Sequence, residues 1–345
     1  MNLAIESRPP RRSSSLRAAK RKGRLQRAES LESRLVMDYA AAVLADNPIA
    51  FYRFNEAAGP TLVDSAPNGG SQNGVYVGPG TPVFNHPGAF SATGTSVRFD
   101  PTDGTESASV AALPITASFT VEMWVRSATG TFNDLGWFGA ARAANGFIMH
   151  PNGGTSWSAY VVDGAGGFQN IGSHNAGAGI TGFHQYVMTY DATTGFGSMY
   201  FDGVRVLNTS LPGALNRAAT SNVNVTLGKD DIGGTRWGNG WLDDTAFYNY
   251  TLTPAQVQAH FLAAQATFIT WTGATDQTWN NVGNWAGGNI PNSFNEVAVF
   301  QNAAPGTVDM QGNTFTIGGV EFNNTAGNFN VSNGTLNMTS TVNSG

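Results

Sequence analysis

The stretch Phe119-Thr120-Val121-Glu122-Met123-Trp124-Val125 gives the strongest indication of the fold class. In an extended strand, side chains at alternate positions face opposite sides of the sheet. Trp124 and Val125 therefore face opposite sides, and both faces of this stretch carry apolar groups. That pattern is typical of a central strand that is covered on both sides.

Similar short runs occur on both sides of this stretch, separated by clusters of Gly, Asn, Asp and Pro. Their spacing suits the short strands and tight turns of an antiparallel sandwich. We therefore predict an all-β fold, an antiparallel jelly-roll β-sandwich. The clearest runs are 50–54, 96–99, 157–161, 186–190, 198–201, 223–227 and 241–248.

Two local signals fix a hairpin and a helix within this pattern. Asp202-Gly203 tolerates the positive φ angles of a two-residue hairpin turn and predicts pairing of 198–201 with 204–207. One short C-terminal helix is predicted after Leu252, with Thr253 as N-cap, Pro254 in the first turn and Gln256 completing a capping box. A further short helix is plausible from Asp38 to Asn47-Pro48.

The composition excludes several classes of protein. With 43 Gly and only 12% charged residues among 345, the chain is rich in turns and poor in solvated helix. It contains no apolar stretch of 18 residues, so we expect no membrane-spanning segment. The absence of Cys excludes disulfides, thiolate catalysis and Cys-based zinc sites.

Charge separates an N-terminal tail from the rest of the chain. Residues 1–36 hold ten of the 18 Lys and Arg residues but only three of the 23 acidic residues. This tail lacks apolar periodicity, and we interpret it as a disordered basic export or targeting tail. A nucleic-acid-binding arm is the alternative, but the remaining chain is acidic and shows no basic patch with interleaved aromatics. We therefore expect no nucleic-acid partner.

The amino-acid composition changes again near residue 266. Segments rich in Asn, Thr and Gly alternate with short strands, and Trp271, Trp279 and Trp285 lie among them. We predict that 266–345 is a partial β-solenoid-like region, although no strict period is found. The pattern runs to Gly345 without a capping segment, which favours a fragment of a longer protein.

A resemblance to a known family rests on motifs that span residues 47–262. NPIAFYRFNE at 47–56, DSAPNG at 64–69 and SFTVEMWV at 118–125 are similar to the opening, turn and strand motifs of bacterial laminin-G-like domains. HQYVMTYD at 184–191, MYFDG at 199–203 and GWLDDTAFYNYTL at 240–252 continue the match in the family's order. The resemblance implies a concanavalin-like lectin/glucanase fold over residues 37–265.

Departures from these motifs are few, and two weaker resemblances flank them. Phe183 stands where the family has Trp, and Pro67 replaces a turn Gly. Residues 268–338 resemble the autotransporter-associated β-strand region of surface proteins. Residues 31–37 resemble the export segments of planctomycete-type bacteria, with Ser33 in place of a proline. These resemblances imply a secreted bacterial protein, extracellular or at the cell surface.

Oxygen-rich turns raise the question of a metal. Ca²⁺ takes six to eight oxygen ligands, and the family resemblance implies a calcium site built from Asp64, Asn68 and Asp243. The alternative is that Asp64 and Asn68 are Asx-turn residues bonded to their own backbone. In that case Asp243 or its neighbour Asp244 pairs with an arginine.

Three tryptophans are candidates for ligand binding. Trp137, Trp157 and Trp237 lie in contexts rich in Gly and Asn, where an exposed indole can stack on a sugar ring. Ordinary packing at the edge of the sandwich is the alternative.

Catalysis finds little support. Glycosidases of this fold use two carboxylates on one strand face, about 5 Å apart for a retaining mechanism, whereas Glu122 stands alone in its strand. We therefore expect no enzymatic activity, and a glycosidase would be revealed by hydrolysis that Glu122→Gln abolishes.

The function we predict is non-catalytic binding or adhesion outside the cell. The ligand would be a glycan or an extracellular protein, with possible dependence on calcium. The alternative is a carbohydrate-binding module of a larger secreted carbohydrate-active enzyme.

Overall fold

A computed structural model describes residues 38–338 except for several short segments. The segments outside the description are 68, 79–81, 91–93, 101–105, 132–138, 178–179, 212–214, 230–237, 294, 302–305 and 323–328. The predicted N-terminal tail, 1–36, also lies outside the described residues.

The first part of the described chain contains sixteen strands framed by two helices. In chain order they are α1 (Tyr39–Ala45), β1 (Ala50–Tyr52), β2 (Thr61–Leu62), β3 (Gly74–Val77), β4 (Val83–Pro87), β5 (Thr95–Phe99), β6 (Ser107–Thr116), β7 (Phe119–Ser127), β8 (Gly139–Ala141), β9 (Phe147–Pro151), β10 (Ser156–Val162), β11 (Phe168–Asn175), β12 (His184–Asp191), β13 (Phe196–Phe201), β14 (Val204–Ser210), β15 (Thr220–Leu227), β16 (Gly240–Tyr248) and α2 (Pro254–Ala264).

These strands form two eight-stranded antiparallel sheets. Sheet A has the order β14-β13-β12-β7-β16-β5-β4, with β1 also paired to β16, and sheet B has the order β11-β10-β9-β8-β15-β6-β3-β2. The stretch 119–125 lies in β7 and pairs with both β12 and β16, as a central strand does. The predicted antiparallel jelly-roll sandwich is confirmed.

The main hydrophobic core joins the inner faces of the two sheets. Val121 and Met123 of sheet A and Trp157 and Val225 of sheet B all belong to it and are fully buried. Aromatic rings cross between the sheets, as in the pair Trp157 and Tyr186, whose centroids are 4.2 Å apart. Burial on both inner faces is the main source of stability for such a sandwich.

Both helices pack on the outer face of sheet A. Val43 of α1 and Val257 of α2 share a second buried cluster with Trp124 and Tyr248 of that sheet. The capping box of α2 forms as predicted, since Thr253 Oγ1 accepts from the backbone N–H of Gln256 and the Gln256 side chain accepts in return. The fold prediction had one C-terminal helix, and the structure has α1 as well. Asp38 is the N-cap of α1.

The hairpin at Asp202-Gly203 also forms as predicted. Phe201 pairs with Val204 across the turn, and Asp202 and Gly203 have φ angles of 47° and 75°. Both angles lie in the left-handed region that a type I′ turn requires.

The chain after α2 forms short strands that pair in parallel. They are β17 (Thr267–Trp271), β18 (Glu296–Phe300), β19 (Thr307–Asp309), β20 (Thr314–Ile317), β21 (Gly319–Phe322), β22 (Asn330–Ser332) and β23 (Thr335–Met338). The pairs are β17 with β18, β18 with β21, β19 with β22 and β20 with β23. Trp271, Trp279 and Trp285 are buried in a hydrophobic cluster of this region. A β-solenoid and the division at residue 265 stay predictions.

None of the helices in the described part of the chain has the length and apolar character needed to cross a membrane.

Candidate functional site

Asp64 is a buried carboxylate that ties a loop to the sandwich. Its Oδ1 accepts the backbone N–H groups of Phe51 and Ala66, each at 2.9 Å, and its Oδ2 accepts that of Gln72 at 3.3 Å. The bond to Ala66, two residues ahead, is the Asx-turn bond of the alternative interpretation. These three donors occupy lone pairs that a metal would otherwise use.

Asp243 and Asp244 are adjacent, buried carboxylates on the outer side of β16. Asp243 Oδ2 accepts from the N–H of Ala89 at 2.7 Å, and its Oδ1 accepts from the N–H of Asp244. Asp244 is paired with Arg53 at 3.2 Å, as the alternative to a metal site expected. Burial and the charge of Asp244 raise the pKa of Asp243 well above its usual range, and burial raises that of Asp244 to about 7.

Calcium binding by Asp64, Asn68 and Asp243 stays a prediction. Asn68 lies outside the described residues. Among the residues that the structure describes, no group of three or more acidic or histidine side chains is placed to hold a metal ion. Ca²⁺ also binds backbone carbonyls and side-chain amide oxygens.

Trp157 is a packing residue of the sandwich, so the prediction that it binds a ligand is wrong. Trp157 lies within β10 and is fully buried, with its ring stacked on Tyr186 between the two sheets. An indole in this position cannot stack on a ligand that arrives from solvent. Trp137 and Trp237 lie outside the described residues, so their ligand-binding role stays a prediction.

Glu122 is fully buried beneath the two helices, although it lies on the outer face of sheet A. Its carboxylate accepts hydrogen bonds from Tyr39 of α1 at 2.8 Å and from Gln185 of β12 at 2.6 Å. It also contacts His260 Nδ1 of α2 at 2.8 Å, and the other ring nitrogen of His260 lies 3.0 Å from Asp46. These contacts join both helices to the centre of the sheet.

The charge state of His260 follows from its two carboxylate partners. Burial lowers its pKa, but Glu122 and Asp46 raise it to a net value of about 10. His260 is therefore protonated at neutral pH and balances the buried charge of Glu122. A carboxylate surrounded in this way stabilises the fold and does not face a substrate.

The outer face of sheet B is the other large surface of the sandwich. Both described α-helices lie on sheet A, so within the described residues no α-helix covers this second face. A continuous row of cross-strand neighbours runs along it from β3 to β11. The members, in order, are Val75, Ser109, Thr226, Ala140, Ile148, Tyr160 and Asn170.

The middle of this row has small side chains, and one end has an aromatic group. Ala140 and Ile148 are buried with Val162 in a small apolar cluster, against which the half-buried Tyr160 packs. The ring of Tyr160 is stacked on that of His150, with centroids 5.7 Å apart and planes 11° apart. The small side chains project less far from the sheet than Tyr160 does, so the Tyr160 ring stands above them.

Polar groups surround the aromatic pair. Ser158, next to His150 across the sheet, shares a hydrogen bond of 2.6 Å with Ser173 of β11. Asn170, opposite Tyr160, is exposed. Strand alternation places Tyr160 on the side of the strand opposite Trp157. The sequence therefore indicated that the two rings lie on different faces, but it did not indicate which face is exposed to solvent.

Comparison with known families supports the sandwich. The family model described as the concanavalin A-like lectin/glucanases superfamily matches residues 100–258. The match supports a concanavalin-like jelly-roll fold for this part of the chain. The match covers most of the strands of both sheets, including β7, β10 and β16. A search of curated proteins finds no match.

Solved structures with a similar backbone include domains from two kinds of protein. Domain 4 of AbnA, an extracellular GH43 arabinanase from Geobacillus stearothermophilus, in complex with arabinotriose, has 18% identity and a TM-score of 0.42, covering 62% of this chain and 98% of that one. A botulinum neurotoxin serotype D/C binding domain has 16% identity and a TM-score of 0.49, covering 66% of this chain. The match spans 55% of that toxin domain, so about half of its length.

Proposed function

We propose that the concanavalin A-like domain is a non-catalytic binding module that recognises carbohydrate on the outer face of sheet B. The observation that carries this proposal is the stacked pair of Tyr160 and His150 beside the row of small side chains. A sugar ring has an apolar face of C–H groups and an edge of hydroxyls. Tyrosine offers an apolar ring with a polar tip, which suits both.

The polar neighbours fit the hydroxyl edge of a sugar. Asn170 can donate and accept, and so can the hydroxyls of Ser173 and Thr226, whereas Ser158 is buried and supports Ser173 through their hydrogen bond. Most ligand sites combine an apolar platform with a few such polar groups. Ala140 and Ile148 are fully buried beside the platform, and Tyr160 packs against their cluster, which holds the ring in place.

Binding without catalysis is favoured by the chemistry of the same row. Its members carry no carboxylate, whereas glycoside hydrolysis uses a pair of Asp or Glu side chains. Glu122 lies on the other sheet with its oxygens occupied by Tyr39, Gln185 and His260.

A protein ligand is the second candidate. Val75 and Val77 of β3 are 51% and 43% exposed on the same face, and exposed apolar groups of this kind favour protein contacts. In either case we infer a role outside the cell, as an adhesion-type protein or as the binding module of a larger carbohydrate-active enzyme. Calcium dependence by Asp64, Asn68 and Asp243 is part of this proposal.

A glycan array of the full chain tests the proposal. We expect the wild type to bind a limited set of glycans, and Tyr160→Ala to lose that binding. Phe196→Ala removes another exposed ring, 38% exposed, from sheet A and should leave binding unchanged. A parallel array with a chelator tests the calcium dependence. Binding that survives in Tyr160→Ala would place the site elsewhere and contradict the proposal.

A further inference from the structure

Two arginines and a tryptophan form a row on the outer face of sheet A, beyond the helices. Trp241 of β16 pairs directly with Arg126 of β7 on one side and with Arg98 of β5 on the other. The guanidinium carbons of Arg126 and Arg98 lie 4.5 Å and 5.3 Å from the centroid of the Trp241 ring. Sheet register therefore holds two positive charges against one indole.

The two arginines differ in how their charge is balanced. Arg98 forms an ion pair of 2.7 Å with Asp100. Arg126 forms no ion pair within the described residues, and the nearby carboxylate of Asp243 accepts instead from the N–H groups of Ala89 and Asp244. Contact with the indole offsets only part of the cost of holding two like charges close together.

The charges of the two arginines also affect a neighbouring histidine, His86. The ring of His86 packs edge-on against Trp241, with centroids 5.7 Å apart. Burial lowers the pKa of His86, and the charges of Arg98 and then Arg126 lower it further. The two arginines therefore make the electrostatic potential at His86 more positive, although Asp100 balances part of the charge of Arg98.

Several nitrogen atoms of the row and of the neighbouring His86 lack hydrogen-bond partners. Within the described residues, the Nε atoms of Arg98 and Arg126, Nε1 of Trp241 and Nε2 of His86 are buried and have no hydrogen-bond partner. Buried donors without acceptors are uncommon in folded proteins and cost free energy. Arg126 and Trp241 are only half-buried as residues, so the outer edges of their side chains reach solvent.

We propose that Arg98, Trp241 and Arg126 bind a carboxylate or sulfate group carried by an acidic glycan. A guanidinium group presents parallel N–H donors that match the paired oxygens of either anion. The rest of the chain after residue 36 has eight basic and 20 acidic residues, so it repels polyanions in general. One confined cationic row selects a negative group at one position of a ligand.

This inference rests on the proposed recognition of carbohydrate but uses a different face of the sandwich. The row lies on sheet A, whereas Tyr160 and His150 lie on sheet B. The two proposals can therefore fail separately.

The first experiment follows the histidine ring signals of the full chain by NMR as pH is varied. Galacturonate oligosaccharides and sulfated carrageenan oligosaccharides serve as probes, in separate titrations. An anion bound at the row favours the protonated imidazole, so the pKa of His86 should rise. His174, whose pKa is lowered by burial alone, is the internal control and should not change. An unchanged pKa of His86 with both probes would overturn the proposal.

The second experiment measures the affinity for the same probes by calorimetry. We expect Arg126→Gln to weaken binding of the preferred probe at least tenfold, and the comparison of the two probes identifies carboxylate or sulfate. Arg205→Gln removes the same charge from β14, the edge strand of sheet A, where Arg205 is exposed, and should have little effect. Equal affinity of wild type and Arg126→Gln would contradict the site.

Neutral oligosaccharides complete the design. If they bind and acidic groups add no affinity, the row is not a ligand site, whereas the proposed function stands. If acidic probes bind through Arg126 and Tyr160→Ala has no effect on any glycan, the row is supported and the face of sheet B is not. If no glycan binds, both proposals are wrong.

Discussion

At the scale of single residues, the contacts of Glu122 show how charge can be buried in the sandwich. Three side chains from separate elements, Tyr39, Gln185 and His260, bind one carboxylate. A buried ion pair gains little net free energy over apolar packing, but removal of one partner leaves the other uncompensated. Removal of His260 would therefore leave Glu122 without its charge partner, and removal of Glu122 would do the same to His260.

The protonation of His260 predicts a pH dependence of stability. Its pKa is about 10 in the folded state, against roughly 6.5 in an unfolded chain. Because the raised pKa makes the native state bind more protons between these values, the stabilisation is complete below about pH 6.5 and is lost as pH rises towards 10. Urea unfolding should show that the stability advantage of wild type over His260→Gln shrinks between pH 7 and pH 10.

His174 provides the control for this measurement. Burial lowers its pKa, so its contribution to stability rises with pH until the unfolded pKa of roughly 6.5 is passed and is constant above that. The difference between wild type and His174→Gln should stay constant from pH 7 to pH 10. An equally constant difference for His260→Gln would mean that His260 is not protonated in the fold.

The network around Glu122 could not be predicted from the sequence. Glu122 and His260 are 138 positions apart, and their contact depends on β7 lying between β12 and β16. Sequence patterns indicate which residues form strands, but they do not give the order of strands in a sheet. The burial of Trp157 was missed for a related reason, since 157–161 was predicted as a strand but the sequence does not tell which side of that strand faces the core.

At the scale of elements, the sequence predicted best the features that depend on only a few consecutive residues. The hairpin at Asp202-Gly203 and the start of α2 at Pro254 are both found as predicted, because each depends on backbone geometry within four residues. The buried side of α2 was only partly predictable. Val257 and Phe261 contribute to it, but so does His260, which is polar.

The capping box of α2 leads to a prediction at this scale. Thr253→Ala removes the side-chain acceptor for the N–H of Gln256 and should lower the free energy of unfolding by about 1 kcal/mol. Thr253→Ser keeps the hydroxyl and should remain close to wild type. Urea denaturation followed by circular dichroism measures both variants. Equal losses in the two would show that the methyl group matters and the cap does not.

At the scale of the whole molecule, the hydrophobic clusters on either side of Gln265 share no residue. The sandwich has its core between sheets A and B, and the parallel strands from β17 onwards have their own, built around Trp279 and Phe300. The composition change near residue 266 predicts a division of the chain there, which stays a prediction, and the strands after it pair in parallel. We expect the two parts to unfold in separate transitions.

Calorimetry of the full chain tests this division. Leu113→Ala opens a cavity in the sandwich core, and Ile317→Ala opens one in the other cluster, since both side chains are fully buried. Each should cost about 3 kcal/mol and lower the temperature of one transition only. A single transition that both substitutions shift would show that the two parts unfold together.

We propose above all that the β-sandwich binds carbohydrate through the face that carries Tyr160 and His150. The most direct measurement is titration calorimetry of the full chain with the best neutral ligand from the glycan array, in the wild type, Tyr160→Ala and Phe196→Ala. We predict that Tyr160→Ala weakens binding about tenfold or more, a loss of roughly 1.4 kcal/mol, and that Phe196→Ala binds as the wild type does. Equal affinity in all three proteins, or no binding by the wild type, would contradict the claim.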